Sequence, residues 1–303
     1  MATWQAVRRW AAVLAAAVLM GALGCSCEPV APPADGAVPA WAKVSQLQID
    51  SACKVGVPVA KELDLGGGIS IRLVLIYAGK FMMGEKGDEH EVTITKPFYM
   101  GVTEVTQAQY RAIMGTNPSE FWGVTTPVDS VSWDDATEFC KKLSEKTRQA
   151  VRLPTEAEWE YACRSRAILA GATAFSFGYS ESALCDYAWY DANSGGMWSS
   201  VVSPVDLRVG GRAHPVGQKE PNAWGLYDMH GNVWEWCADW YGDYPKGPVT
   251  DPQGPASGPC RVLRGGSWID GPSFCRSAMR LPGILRRGGT YGFRVVSVSA
   301  PGP

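Results

Sequence analysis

The chain has 303 residues, with 28 Lys and Arg against 30 Asp and Glu, which gives a formal net charge of −2. This length allows one large domain with a substantial core, and the balanced charge without a basic run argues against nucleic-acid binding. The 34 Gly, 21 Pro and 13 Trp residues predict a domain that consists mainly of loops, with few long helices.

The first 25 residues have the pattern of an export signal. Arg8 and Arg9 precede an apolar run at residues 10–23, which is shorter than a comfortable membrane span. The run ends in Ala-Leu-Gly-Cys, which predicts cleavage and lipidation of Cys25. The alternative is an ordinary secretory signal that is cut nearby. Lipidation would make the protein a membrane-anchored lipoprotein of the cell envelope that faces the periplasm or the exterior.

A tether and one domain are predicted after the signal. Residues 26–47 are rich in Pro, Ala and Val, and this composition predicts a partly extended tether. Residues 48–303 are assigned to the domain, in which residues 48–69 form either a first strand or more of the linker. Ile69–Ala78 followed by Phe81–Gly84 predicts a strand pair, because β-branched and apolar residues flank a Gly-Lys turn. Residues 91–95 alternate and predict another strand.

Three helices are predicted by one signal, a Ser or Thr followed three residues later by an acid or an amide. The pairs are Thr106 with Gln109, Ser132 with Asp135, and Thr155 with Glu158. The second helix has apolar residues at helical spacing, which predicts a buried stripe. The stripe consists of Ala136, Phe139, Cys140 and Leu143.

Three motifs carry most of the information in the chain. They are RLPTEAEWEYACR at 152–164, GLYDMHGNVWEW at 225–236, and RVLRGGSW at 261–268 followed by GFR. Dense Gly, Asn and Asp favour turns, and the Trp residues supply the apolar area that such loops lack. Together with KFMMG and EVTQAQY, these motifs resemble the formylglycine-generating enzyme family, also called the sulfatase-modifying-factor domain. The resemblance covers about residues 70–297.

The resemblance implies a fold and a reaction. The fold is an elaborated C-type-lectin-like α+β domain, loop-rich with few short helices, and we expect it to be monomeric. Active members oxidise a sulfatase cysteine to formylglycine with molecular oxygen and Cu(I) bound between two cysteines. The matching positions here are Asp270 and Cys275. Since a linear Cu(I) site needs two soft thiolates, copper is not expected to bind, and whether the chain is an enzyme stays open.

Candidate functional residues follow from the same resemblance. Cys275 and Ser267 of the GGS turn are the candidate catalytic residues, although Cys275 is alternatively a semi-buried thiol or half of a disulfide. The substrate groove of the family begins at the GGS turn, so the residues between this turn and GFR are candidates for binding a protein or peptide. These candidates are Trp268, Asp270, Phe274, Arg276, Arg280 and Tyr291.

Calcium is the cofactor that the resemblance predicts, in a structural role. The first site would use the side chains of Asp228 and Glu235 with the carbonyls of Gly231 and Val233. The second would use Asn193, the carbonyl of Ser194, Asp206 and the carbonyl of Arg208. Mixed carboxylate and carbonyl oxygens suit Ca²⁺. The alternative for the first site is that its two acids only cap turns.

Three functions are compatible with these observations. The first is a lipid-anchored enzyme of the sulfatase-modifying-factor type, which would act on a protein or peptide outside the cytoplasm. The second is a binding module on the same fold without catalysis, of the kind found in variable proteins of diversity-generating retroelements. The third is an envelope scaffold protein.

Overall fold

The computed structural model describes residues 38–85, 87–165, 173–195, 211–284 and 288–298. The predicted signal, the lipidation of Cys25 and most of the tether lie outside these ranges. Within the described part of the chain, no helix is both long enough and apolar enough to cross a membrane.

The described residues form five α-helices. They are α1 (Gln46–Val55), α2 (Gln107–Met114), α3 (Trp133–Thr147), α4 (Glu156–Arg164) and α5 (Leu184–Tyr187). Helices α2, α3 and α4 begin at the three predicted capping boxes, and α3 buries the predicted stripe, so these predictions are confirmed. Helix α1 begins at a fourth capping box, formed by Ser45 and Gln48, and it crosses the predicted domain boundary at residue 47.

Twelve strands in the described residues form three sheets. They are β1 (Ala60–Gly66), β2 (Ile69–Ile76), β3 (Gly79–Met83), β4 (His90–Ile94), β5 (Phe98–Gly101), β6 (Ala150–Arg152), β7 (Trp234–Trp240), β8 (Val249–Thr250), β9 (Arg261–Arg264), β10 (Arg280–Gly283), β11 (Tyr291–Gly292) and β12 (Val296–Val298). The strand orders are β1-β2-β5-β12-β6, β10-β9-β7-β11 and β3-β4-β8. The pairs β4–β8 and β7–β11 are parallel, and the other pairs are antiparallel.

The predicted pairing of Ile69–Ala78 with Phe81–Gly84 is wrong, although both segments contain strands. Strand β2 lies between β1 and β5, whereas β3 pairs with β4 in a different sheet. Gly79 does not form a hairpin turn, because it lies within β3 opposite Ile94. The chain reverses after β3 instead, at Gly84, whose φ of 96° is left-handed. The predicted strand at 91–95 is confirmed as β4.

One hydrophobic core connects the sheets with the helices and explains the many tryptophans. Trp159, Trp224 and Trp236 are among the largest fully buried side chains. Three arginines, Arg164 of α4, Arg264 of β9 and Arg294 before β12, are fully buried as well. Because a buried charge requires a partner, these arginines mark the points where the loop-rich motifs are attached to the core.

Candidate functional site

The GNVWEW motif forms a tight loop that leads into β7. Gly231 has a φ of 85°, and a Cβ at this position would lie 2.2 Å from the carbonyl oxygen of Trp189, so only glycine fits. Asp228 and Asn232 also have positive φ values, of 56° and 62°, which Asp and Asn adopt more readily than most residues. The loop places the carboxyl groups of Asp228 and Glu235 in the interior.

Glu235 is bound by the arginine of the GFR motif. Arg294 donates through Nε and Nη2 to the two carboxylate oxygens of Glu235, both at 2.6 Å. Trp159 Nε1 also donates to Glu235 Oε2, at 2.8 Å. Arg294 reaches the carbonyls of Gly101 and Tyr227 with its remaining donors. The GFR motif therefore connects the GNVWEW loop to the five-stranded sheet.

A third carboxyl group, that of Glu104, lies in the same buried cluster and was not predicted from the sequence. Its Oε2 is 3.5 Å from Asn232 Nδ2, and its Oε1 has no hydrogen-bond partner in the described structure. Asp228 is similar, because its Oδ2 accepts from the Gly217 amide at 2.7 Å while its buried Oδ1 has no described partner. The available signal was an acid in the apolar context YMGVTEV, just before a helix cap.

The charges of this cluster do not balance. Burial, followed by repulsion from Asp228 and Glu235, raises the pKa of Glu104 well above its usual value. Burial also raises the pKa of Asp228 to about 6, although the hydrogen bond from Gly217 and the charge of Arg294 oppose this. Three carboxylates facing one guanidinium would leave two uncompensated negative charges. Either protons or a cation must therefore neutralise them in the folded protein.

The donor atoms of this cluster fit a calcium ion. The two unpartnered oxygens belong to Glu104 and Asp228, and such hard carboxylate oxygens are the ligands that Ca²⁺ prefers. Within the described residues, no three acidic, His or Cys side chains converge on one metal position. The fit therefore relies on these two carboxylates together with the carbonyls of Gly231 and Val233. Glu235, a predicted ligand of this site, is not counted among these donors, because Arg294 binds both of its carboxylate oxygens.

The predicted second calcium site is described only in part. Asn193 Nδ2 donates to the Ala188 carbonyl at 2.8 Å, and its Oδ1 accepts from the Tyr190 amide at 2.9 Å. The carbonyl oxygen of Ser194 lies 3.1 Å from His214 Nε2. Asp206 and Arg208 lie outside the described residues. The second site stays a prediction.

The GGS turn packs directly on Cys275. Gly266 has a φ of 79°, and a Cβ there would lie 2.9 Å from Cys275 Sγ and from the Phe274 carbonyl oxygen. Before the turn, the fully buried Arg264 forms a salt bridge with Glu160 of α4. The turn is therefore attached to the core on one side and to the Cys275 segment on the other.

Asp270, one of the candidate ligand-binding residues, has hydrogen-bond partners in the GGS turn and outside it. Its Oδ2 accepts hydrogen bonds from the amide of Ser267 at 3.1 Å, from the Ser267 hydroxyl, and from Trp234 Nε1 at 2.8 Å. Its backbone carbonyl accepts from the Asp191 amide at 3.1 Å. Ser267 is completely buried, so its hydroxyl serves this hydrogen bond and is not presented to solvent.

Cys275 is a fully buried free thiol. It packs with Phe175, Leu184 and Ala188 in a small apolar cluster. Burial raises the pKa of Cys275 far above its usual value, and the negative charge of Asp270 raises it further. Because the thiolate is the reactive form, this shift makes the free thiol of Cys275 less nucleophilic. All seven cysteines of the described residues are free, although the sequence permits disulfides.

The two candidate arginines form salt bridges with acids. Arg276 donates through Nε and Nη2 to Glu85 at 3.1 and 2.9 Å, at a partly exposed position. Arg280 donates in the same manner to Glu156 at 2.7 and 2.8 Å. Arg280 is the more buried of the two, so it contributes to the fold, whereas Arg276 remains accessible to a ligand.

The candidate aromatic residues line the surface above the turn. Phe274 is 37% exposed, and Tyr291 is half-buried opposite Trp234 in the β7–β11 pair. Trp268 is mostly buried against Val233, and its ring meets Phe121 edge-on at a centroid distance of 6.4 Å. Phe274 and Tyr291 are both neighbours of Trp234. We call Phe274, Tyr291 and the largely buried Trp268 together the ligand face.

Comparisons with known proteins agree with this architecture. The model of the sulfatase-modifying factor enzyme 1-like domain matches residues 70–298. Chaperone protein LppX of Paenibacillus barcinonensis is 32% identical over 270 residues, which are 75% of this chain and 90% of that protein. The formylglycine-generating enzyme of Streptomyces coelicolor is 39% identical over 159 residues, 49% of this chain and 44% of that enzyme. The chain spans about half the length of the formylglycine-generating enzymes that it matches.

A solved structure provides the same comparison in three dimensions. Variable protein 1 of Treponema denticola superposes with a TM-score of 0.70 at 31% identity, over 80% of this chain and 100% of that protein. These findings confirm the predicted fold class, an elaborated C-type-lectin-like α+β domain with few short helices.

Proposed function

Because the chain belongs to the sulfatase-modifying factor enzyme 1-like domain family, as its motifs predicted, we propose that it binds a protein or peptide at the ligand face without oxidising it. The protein is a lipid-anchored component of the cell envelope in this proposal. The observation that carries the proposal is that the Asp270 carboxylate accepts hydrogen bonds from Ser267 and Trp234, at a position that the resemblance aligns with a copper-binding cysteine.

The chemistry of the two positions supports binding over oxidation. A carboxylate is a hard ligand, and a buried, protonated thiol is a poor one, so Asp270 and Cys275 do not supply two soft donors. One oxygen of the Asp270 carboxylate, Oδ2, already accepts three hydrogen bonds. If this oxygen bound a metal instead, the buried donors of Ser267 and Trp234 would lose their acceptor, which would destabilise the fold.

Oxidation of a protein cysteine is the second candidate function. The 39% identity to the Streptomyces coelicolor enzyme and the retained Cys275 favour it. To distinguish the two functions, the full chain is incubated with Cu(I), oxygen and a peptide that contains the sulfatase sequence CxPxR. Mass spectrometry then shows whether the cysteine of the peptide has been oxidised. We expect the peptide to keep its sulfur. The variant Asp270→Cys should bind Cu(I) much more tightly, because it restores the second soft ligand. Formylglycine formed by the unmodified chain would overturn the binding proposal.

Binding at the ligand face is tested with a random peptide library displayed on phage. We expect peptides enriched on the wild-type protein to lose binding to Phe274→Ala and to keep it with Tyr179→Ala. Tyr179 is a matched control because it is an aromatic residue, 70% exposed, outside the ligand face. Peptides that bind both variants equally would place the binding site elsewhere.

Calcium has a structural role in this proposal. Glu104 and Asp228 would bind it, together with the carbonyls of Gly231 and Val233. The ion, when bound, would supply the positive charge that the buried cluster lacks, so that Glu104 and Asp228 stay ionised. The loop below the ligand face would then keep one conformation. The two unpartnered carboxylate oxygens support this role.

The anchor is proposed from the sequence pattern around Cys25, where basic residues, an apolar run and a small residue precede the cysteine. We expect Cys25→Ser to move the protein from the membrane fraction to the soluble fraction. An uncleaved variant that stays in the membrane fraction would contradict the lipoprotein assignment.

A further inference from the structure

The loop after α2 exposes two large apolar side chains. Trp122 is 76% exposed and Val124 is 73% exposed. The loop itself is fixed, because Gln107 binds it on both sides of Trp122: its Nε2 donates to the Phe121 carbonyl at 2.7 Å, and its Oε1 accepts from the Gly123 amide at 3.0 Å. Because the loop is fixed, these apolar side chains stay exposed to water. Their exposure indicates a surface that binds another molecule or a membrane.

Two pairs of an arginine and a tryptophan lie at or near this loop. The guanidinium of Arg111 lies 5.1 Å from the ring of Trp122, and that of Arg72 lies 5.3 Å from the ring of Trp41. Trp41, Arg72 and Val124 line one cavity of about 510 Å³. Arg72 also forms an exposed salt bridge with Glu62, so Arg111 has the more available charge. The two pairs therefore belong to one continuous surface.

This surface lies where the chain enters the domain. Trp41 is close in sequence to Val38, the first described residue. Twelve residues separate Val38 from Cys25, and such a segment spans at most about 45 Å. A lipid anchor at Cys25 would therefore keep the domain within about 45 Å of the bilayer, with Trp41 among the first described residues after the anchor.

We propose that the surface formed by Trp41, Arg72, Arg111, Trp122 and Val124, the membrane face, lies on the bilayer to which the chain is anchored. The proposal rests on the lipid anchor proposed above. Tryptophan is enriched at the level of the lipid headgroups, and arginine binds anionic headgroups. The membrane face would act as a second, weaker attachment that orients the domain.

Orientation has a consequence for the ligand face. Phe121, which precedes Trp122, contacts Trp268. The same loop thus borders both faces, and the membrane face places the ligand face at the level of the bilayer surface. The partner is therefore a protein or peptide segment close to the membrane. A protein partner that covers Trp122 directly is the competing explanation, and the experiment below separates the two.

The test uses the full lipidated chain, reconstituted into vesicles of phosphatidylcholine and phosphatidylglycerol whose acyl chains carry bromine. Bromine quenches tryptophan emission only at short range. We expect the chain to float with the vesicles and its emission to be quenched. A chain with both Trp41→Phe and Trp122→Phe should lose most of this quenching, because both tryptophans belong to the membrane face, whereas Trp240→Phe, a half-buried tryptophan outside the membrane face, should retain it.

Each other outcome contradicts a distinct statement. Flotation without quenching would overturn the membrane face and leave the anchor intact. Quenching that persists when both Trp41 and Trp122 are replaced would overturn the assignment of this surface. A chain that does not float would overturn both the anchor and the membrane face. Reduced capture of library peptides by Trp122→Phe, without lipid quenching, would assign Trp122 to the ligand face instead.

Discussion

The loop before β7 and the turn after β9 both carry acidic residues, but the oxygens of these acids have different partners. In the first region, Glu104 and Asp228 each bury an oxygen without a hydrogen-bond partner among the described residues, and Arg294 is the buried cation of the cluster. In the second region, Oδ2 of Asp270 accepts three hydrogen bonds from Ser267 and Trp234. The first region therefore holds more buried acids than buried cations, whereas the carboxylate of the second has protein donors.

This difference bears on the two metal proposals. The proposed calcium site would have its carboxylates arranged before the ion binds, at a cost in electrostatic repulsion. Asp270, which the resemblance aligns with a copper cysteine, is instead part of the local hydrogen-bond network. The following predictions test both statements, beginning with the largest expected effect.

Arg294→Met should destabilise the protein most, because it leaves three buried carboxyl groups without a cation. Breaking a buried ion pair from one side costs about 3–5 kcal/mol. The measurement is the free energy of unfolding in urea. The matched control is Arg276→Met, which removes the same group from a partly exposed pair with Glu85 and should cost about 0–1 kcal/mol. Similar losses in the two variants would contradict the assigned role of Arg294.

Removal of calcium should have the next largest effect. A ligand that binds only the folded state at 100 times its Kd stabilises that state by about 2.7 kcal/mol. We therefore expect a chelator to lower the Tm of the wild-type protein and added calcium to restore it. Asp228→Ala should have a low Tm and no response to chelator. If neither chelator nor calcium changes the wild-type melting curve, calcium does not bind, and Asp228 and Glu104 are neutralised by protons alone.

The metal-free protein should become less stable as pH rises. Asp228 has a pKa of about 6 in the folded protein against an ordinary value of 3.8, so the folded state binds the proton more tightly. The resulting stability is fully present below about pH 4 and is lost as pH rises through 6, by at most about 1.4 kcal/mol per unit. Unfolding in chelator from pH 4 to 7 measures it.

Asp228→Asn is the control for this pH dependence, because the pKa of Asp239 is also raised, to about 7, by burial and by Glu156. The part of the slope that belongs to Asp228 should disappear in the variant. With saturating calcium the sign should reverse, since protons then compete with the ion. An equal slope in the metal-free wild type and in Asp228→Asn would contradict the prediction.

The smallest effect is expected at the GGS turn, where Asp270 accepts hydrogen bonds from Ser267. A double-mutant cycle between Asp270→Asn and Ser267→Ala should give a coupling of about 1 kcal/mol, the usual net value of one hydrogen bond. Urea unfolding of the four proteins measures this coupling. Strictly additive losses would show that the two side chains do not stabilise the turn together.

The sequence predicts the local features of the fold better than the long-range ones. The boxes at Thr106, Ser132 and Thr155 each involve residues three positions apart, so their effect does not depend on the rest of the chain. The box at Ser45 is equally local and could have been found by the same criterion. The partner of β3 was predicted wrongly because β2 and β4 both lie close to β3 in the sequence. No local signal shows which of the two strands β3 pairs with.

The candidate site shows the same division between local and distant information. Its loop residues could be carried over from motifs because Gly231 and Gly266 have backbone requirements that allow no side chain. Glu104 could not be placed by spacing, since its neighbour Asn232 is 128 residues away in the chain. The partners of Asp270 depend on Trp234 in the same way.

Arg264 and Arg294 enclose the segment that carries the ligand face, and each is bound to the core by a buried glutamate. Within the segment, the salt bridge of Arg280 with Glu156 and the pairing of β10 with β9 add further attachments. Phe274 takes part in none of these ion pairs, so we expect its replacement to alter the ligand face while the buried ion pairs at both ends stay unchanged.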